Sequence, residues 1–415
     1  MTVRTFSKAA VLLVMTMTAG PALAQKIVAY SPGANYDQMS WQSFVSVVTP
    51  APNGQQGLTL ETWATDPDTF QATPTWPSGP SLTATAAVQR PRFQASLLQR
   101  ARARGHAPAG LRGAAAVSVG GCNPVGDAAA GNFPTGNASD CIAEEVRRNR
   151  DAFDYIVNNG LYTQAGLKTA FAGPGINFPT SAIELKLDWI QEATLITWLN
   201  NNGVQTPNNF VQQNYYTTVV AGTTYALLSM HISTKQLPNW LWATFEHQLN
   251  PGRCDTMGCY DQFGVTGKLT SVAALPTPQP GATQNQYPAC VKSPALAAMF
   301  SGAGLASVWN NYCLKATQVD FLSTQNATIG QPVIDGDSVI ERITADVPIA
   351  QSSCITCHAY AAVTAQGCVS GKDNPGLGSP GPVGLVNWAY LQKQKMYDFV
   401  WGVININFEK GAACP

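Results

Sequence analysis

Cys354-Ile355-Thr356-Cys357-His358 is the segment of this chain with the most definite chemistry. Two thiols three positions apart, followed at once by an imidazole, form the Cys-x-x-Cys-His spacing at which c-type haem is attached. The two sulfurs add across the vinyl groups of the porphyrin as thioethers. His358 then lies under the iron as its proximal ligand. The spacing therefore predicts one covalent haem c, held by Cys354 and Cys357 and ligated by His358. No glycine-rich nucleotide loop and no convincing hydrolase elbow accompanies it.

The sixth iron position needs a second donor or stays open. The other histidines are His106, His231 and His247. His106 lies among arginines and is expected in solvent. His231 follows the apolar run Tyr225-Ala226-Leu227-Leu228-Ser229-Met230, and His247 ends the aromatic stretch Trp240-Leu241-Trp242-Ala243-Thr244-Phe245-Glu246. Both settings suit a haem pocket. His231 is the preferred sixth ligand. His247 and Met396 are its rivals, with Met230 and Met299 behind them. A methionine would raise the potential and suit electron transfer, whereas an open site would admit oxygen or peroxide. In that case His247 with Glu246, or Arg253, could supply polar groups on the distal side.

The motif gains weight from its context. Met1 to Ala24 reads as a secretory signal peptide: Arg4 and Lys8 precede a short apolar run, and Pro21-Ala22-Leu23-Ala24 supplies small residues for cleavage. The run is too short for a membrane span, and no other stretch approaches the ~20 apolar residues that one needs. A periplasmic or secreted location follows, with no transmembrane anchor after cleavage. Ten cysteines are present. Those outside the motif are Cys122, Cys141, Cys254, Cys259, Cys290, Cys313, Cys368 and Cys414. An even set in an exported chain reads as disulfides. Pairing of neighbours, 122–141, 254–259, 290–313 and 368–414, is the simplest scheme. A zinc site would need a second Cys-x-x-Cys or more histidines than are present.

Charge is sparse and balanced, with 24 basic and 24 acidic side chains. Such a surface is a poor partner for nucleic acid. The expected partners are a redox protein or a small-molecule substrate. The chain has 415 residues, whereas one small domain needs only ~100. The expected organisation is a signal peptide (1–24), a Trp/Pro-rich segment with an arginine-rich loop (25–121), a main α+β body (122–345) and a haem-attachment region packed on that body (346–415).

Several elements must position these groups. Trp41 to Phe44 reads as a helical turn capped by Ser40. Residues 141–160 read as a helix with Asp140 as its cap. Ile183 to Ile190 alternates apolar and charged residues, the pattern of a strand with one wet face. Thr217 to Ile232 is a second strand-like stretch. Pro238 to Gln248 reads as a short helix, on which Trp240, Ala243, Thr244 and His247 would share a face. Tyr390 to Phe408 closes the chain with apolar and aromatic residues. The fold class expected is mixed α+β, loop-rich and disulfide-stabilised, with the haem-attachment segment near the C-terminus.

With its export signal, Cys354 to His358 resembles the c-type cytochromes. Met230-His231-Ile232-Ser233-Thr234-Lys235, continuing through Trp240 to His247, resembles large exported bacterial proteins of the generic cytochrome c family. The resemblance implies a c-type haem protein and brings no substrate. The late position of the motif departs from the small all-α class I cytochromes, so their helical fold is not carried over. The expected function is electron transfer through the haem. The alternative is a peroxidase- or oxygenase-like haem enzyme acting on a small substrate beside it.

Overall fold

The structure is a computed structural model. It describes residues 35–79, 142–250, 261–265, 290–322, 332–336, 353–368 and 383–402, apart from short gaps at 53–54, 56, 202–203, 221 and 334. The signal segment, the arginine-rich loop with His106, Arg253, and Cys122, Cys141, Cys254, Cys259 and Cys414 lie outside the described residues.

The frame is an antiparallel sheet built from β1 (Ala64–Thr65), β2 (Ile142–Arg148), β3 (Ile183–Gln191), β4 (Thr217–Val220), β5 (Thr223–Thr234), β6 (Leu241–His247) and β7 (Tyr312–Gln318), in the order β1-β2-β3-β5-β6-β7. β4 pairs with the start of β5. The chain is thus mixed helix and antiparallel sheet, and a disulfide joins Cys290 to Cys313 on β7. Cys368 is also disulfide-bonded.

Alternation on β3 sorts its residues. Leu185, Leu187 and Trp189 enter a core with Met230 and Ile232 of β5 and Leu241 and Phe245 of β6. Helix α1 (Tyr36–Val48) covers this face. Its Trp41 and Phe44 rings meet Phe245 at 4.9 and 4.6 Å between centroids. Each such aromatic contact contributes about 1 kcal/mol beyond the area that it buries. Asn35 caps α1, its side chain accepting from Gln38 N at 3.1 Å. Ser40, expected as the cap, lies inside the helix and bonds Tyr36 O and Thr317 Oγ1.

Helices α2 (Asp66–Thr69), α3 (Arg150–Asn158) and α4 (Gln164–Ala172) lie along the chain before β3. α5 (Glu192–Asn201) and α6 (Phe210–Asn214) follow it, and α7 (Pro294–Gly302) precedes β7. The attachment motif forms the short helix α8 (Cys354–Ala359). The hairpin β8 (Ala362–Thr364) and β9 (Gln394–Met396) comes next. Cys354 and Ile355 share a second core with Ala152, Ile156, Leu167, Trp240 and Trp242. The face of β3 that was expected to be wet is therefore largely covered, and Asp188 is fully buried on it.

Two further expectations are corrected, and a third is refined. The stretch 141–160 is not one helix: β2 runs from Ile142 to Arg148, and α3 starts after Asn149. Asn149 makes that break. Its side chain caps Ala152 N, accepts from Ile183 N and donates to Ser181 O, fastening the end of β2 to β3. Within 238–248 the structure has a strand, β6 from Leu241 to His247, rather than a helix. β6 is buried on both faces between β5 and β7, so its alternation is erased and its apolar run imitates a helix. The stretch from Thr217 is a β4–β5 hairpin, turned at Gly222 with φ 80° and extended to Thr234.

Candidate functional site

α8 exists because its N-terminal end is held from the sheet. Ser353 is its N-cap. At the end of β7, Gln318 donates Nε2–H to Ser353 Oγ at 2.8 Å and accepts from Ile355 N at 3.0 Å. Thr356 Oγ1 donates to Gly384 O at 2.7 Å. One helical turn then puts Cys354 and Cys357 on the same side of α8. Neither forms a disulfide. Cys354 is buried and its thiol donates to Asp335 O at 2.9 Å.

His358 follows in the last turn. Its Nδ1 lies 2.7 Å from Phe399 O. A carbonyl only accepts, so Nδ1 carries the proton. Burial lowers the basicity of the ring to a pKa of about 3; the Phe399 carbonyl pulls the other way, and Lys186 and His231 add to the lowering. The ring is thus neutral at pH 7, and its Nε2 bears the lone pair that a metal needs. The Trp242 ring flanks the imidazole, with centroids 4.6 Å apart.

His231 comes to the motif from the second half of β5. Its Nδ1 is 3.8 Å from Cys354 Sγ. It pairs with Lys186 on β3 and Thr244 on β6, so these three side chains form a row on one face of the sheet. The buried Thr244 Oγ1 has no hydrogen-bond partner among the described groups. His247 is a core residue. Leu249 N donates to its Nδ1 at 3.2 Å, Nε2 bonds Asn214 O at 3.0 Å, and Tyr215 stacks on the ring at 3.6 Å. Met396 is half-buried on β9. Met230 lies in the core on the opposite face of the sheet from His231, and Met299 packs against the same core. Glu246 is fully buried, facing Lys315 Nζ at 3.5 Å and Asn250 Nδ2 at 3.2 Å.

These residues suit a c-type haem in donor chemistry. Two thiols in reach of one side, a neutral imidazole with its outer nitrogen anchored and its inner one available, and apolar rings beside it are what such a group uses. Cys357, His358, His231 and Lys186 all keep accessible surface although their elements are packed within the molecule. Among the described residues, no three His, Cys, Asp or Glu side chains converge as a protein-only metal cage. No described helix is long and apolar enough to cross a membrane.

Sequence reasoning did not anticipate the Phe399 carbonyl or the turn that presents it. Two consecutive residues other than glycine, Asp398 and Phe399, have positive φ of 47° and 69°. No residue pattern at these positions signals such a turn, since Asn-Gly is its usual mark. Compared with known protein families, curated sequences and solved structures, the chain matches none.

Proposed function

We propose that this chain is an exported c-type cytochrome that carries one covalent haem at Cys354, Cys357 and His358 and passes electrons to a redox partner. The observation that carries the reading is His358: its Nδ1–H donates to Phe399 O, which leaves the Nε2 lone pair for a metal, and the two thiols of the same short helix are outside any disulfide. When bound, the haem supplies the one-electron couple. The chain's own residues then orient and enclose it. His358 is held at its outer nitrogen, Trp242 packs on its ring, and α8 presents the thiols from one turn. His231 is proposed as the sixth ligand, because it lies beside Cys354 on the partly open face, whereas both His247 nitrogens are engaged by backbone groups. The signal-peptide reading places the protein in the periplasm or outside the cell.

A second reading, a haem enzyme acting on a small substrate, draws on the accessible surface kept by His231 and Lys186. It requires an exchangeable sixth position.

The test is to express the full chain in a bacterium competent for haem attachment and record its spectrum after denaturation and after reduction. Covalent haem in the native chain, absent in Cys354→Ser/Cys357→Ser, is the expected result; its absence from the native chain sinks the proposal. His231→Ala should convert a low-spin spectrum to one that responds to carbon monoxide. His247→Ala should lower stability and leave the spectrum alone. A native spectrum that already shifts with carbon monoxide would favour the enzyme.

A further inference from the structure

The carbonyl that holds His358 is presented by a costly piece of backbone. Val400 N bonds Tyr397 O at 3.0 Å across a four-residue turn whose two central residues both have positive φ. This is the sign pattern of a type I′ turn, which ordinarily takes Asn-Gly. In the left-handed region the Cβ of any L-residue crowds the following carbonyl; the short polar side chain of Asp offsets this by local hydrogen bonding, whereas Phe has no such compensation. Such a conformation persists only where the surroundings over-determine it.

The surroundings here are specific. The Asp398 carboxylate accepts from Lys235 Nζ at 2.6 Å through one oxygen and from Phe178 N at 2.7 Å through the other. Lys235 stands just past the end of β5, is buried, and also donates to Pro238 O at 2.9 Å. The buried Phe399 ring lies 6.2 Å from Trp242 and 6.4 Å from Phe321. Tyr397, fully buried, donates its hydroxyl to Leu161 O at 3.1 Å. The turn is thus pinned at Tyr397, Asp398 and Phe399, and its output is one carbonyl aimed at His358.

We infer that the buried Lys235–Asp398 pair is a positioning device for His358: it holds the left-handed turn that keeps Phe399 O on Nδ1 and so selects the tautomer whose Nε2 is free to ligate. The inference rests on the haem reading for its purpose, but the tautomer itself does not. A strong hydrogen bond to the outer nitrogen makes an imidazole a better donor to iron, which favours the oxidised metal. A residue far away in the chain, just beyond β5, would then tune the proximal ligand without touching it.

The experiment uses the full chain, labelled with 15N at histidine and lacking haem through Cys354→Ser/Cys357→Ser. Long-range nitrogen–proton spectra report the His358 tautomer directly. The native turn should show Nδ1–H. Lys235→Met and Asp398→Asn should each raise the Nε2–H population about tenfold, the factor expected for loss of one favourable hydrogen bond. If both variants fold and the tautomer is unchanged, the proposal is wrong. Asp398→Asn/Phe399→Gly keeps it falsifiable where a single variant does not fold, because Asn-Gly adopts this turn unaided. Recovery of the Nδ1–H tautomer there supports the device, and loss of it overturns the device. In the haem-loaded chain, Asp398→Asn should raise the reduction potential. A chain without haem would refute the haem reading while leaving the tautomer result intact.

Discussion

His231 and His247 lie on neighbouring strands, yet their ring nitrogens meet different groups. Leu249 N and Asn214 O occupy both nitrogens of His247, whereas one nitrogen of His231 faces the Cys354 thiol. Flanking residues could not separate the two, since both sit in apolar runs. Asp37, in the first turn of α1, makes a testable case at this scale. Burial raises its pKa to about 6, opposed by Gln262 N and the Thr317 hydroxyl and assisted by the charge of Asp261. A carboxyl whose folded value exceeds its unfolded value of 3.8 binds a proton more tightly in the native state. Its stabilising contribution is present below the unfolded value and is lost as pH rises through about 6. Asp37→Asn should therefore gain on the native protein by on the order of 2 kcal/mol between pH 4 and pH 7. Urea unfolding at both pH values checks it, and a pH-independent difference would refute it.

At the scale of elements, local pattern was a good guide only where one face is apolar and the other is not. β3 alternates, and Ile183 to Ile190 was legible as a strand within one residue of its observed end. β6 does not alternate because both its faces are buried, so Trp240 to His247 carried a false helical signal. β2 misled for another reason: its Glu145, Arg147 and Arg148 are inside. Arg147 binds Glu145 and three carbonyls, of Leu60, Glu61 and Trp63. The Cys290–Cys313 bond, the neighbour pairing expected for these two, ties the segment before α7 to β7, which in turn caps α8 through Gln318. Closing that loop should stabilise the fold by about 3 kcal/mol. Cys290→Ala/Cys313→Ala should show this loss in urea midpoint; an unchanged midpoint would mean that the strand pairing alone suffices.

On the scale of the whole molecule, Arg148 joins parts of the chain that are remote in sequence. Fully buried, it pairs with Asp66 in α2 and with Glu184 on β3 at 3.2 Å. It also donates to Thr69 Oγ1 at 2.7 Å and lies 4.8 Å from the Phe70 ring centroid. Removing one partner of a buried ionic group strands the others, at a cost of about 3–5 kcal/mol. Arg148→Met should lose that much, and adding Asp66→Asn and Glu184→Gln should restore a good part of it. Calorimetry of the two variants decides; a loss under ~1 kcal/mol in the single variant would show the cluster to be dispensable.

The covalent order of the chain alone placed two thiols and an imidazole within five residues, marked the alternation of β3, and left an even set of cysteines for pairing. These are properties of spacing, which neighbours along the backbone fix without help. Only the tertiary structure decided which histidine stands beside Cys354, which nitrogen of His358 carries the proton, and how Lys235 and Asp398 support the turn behind it. Each of these rests on groups brought together across long stretches of chain. Hydrogen bonds of that kind depend on how the sheet and its covering layer pack, and no local pattern of residues encodes them.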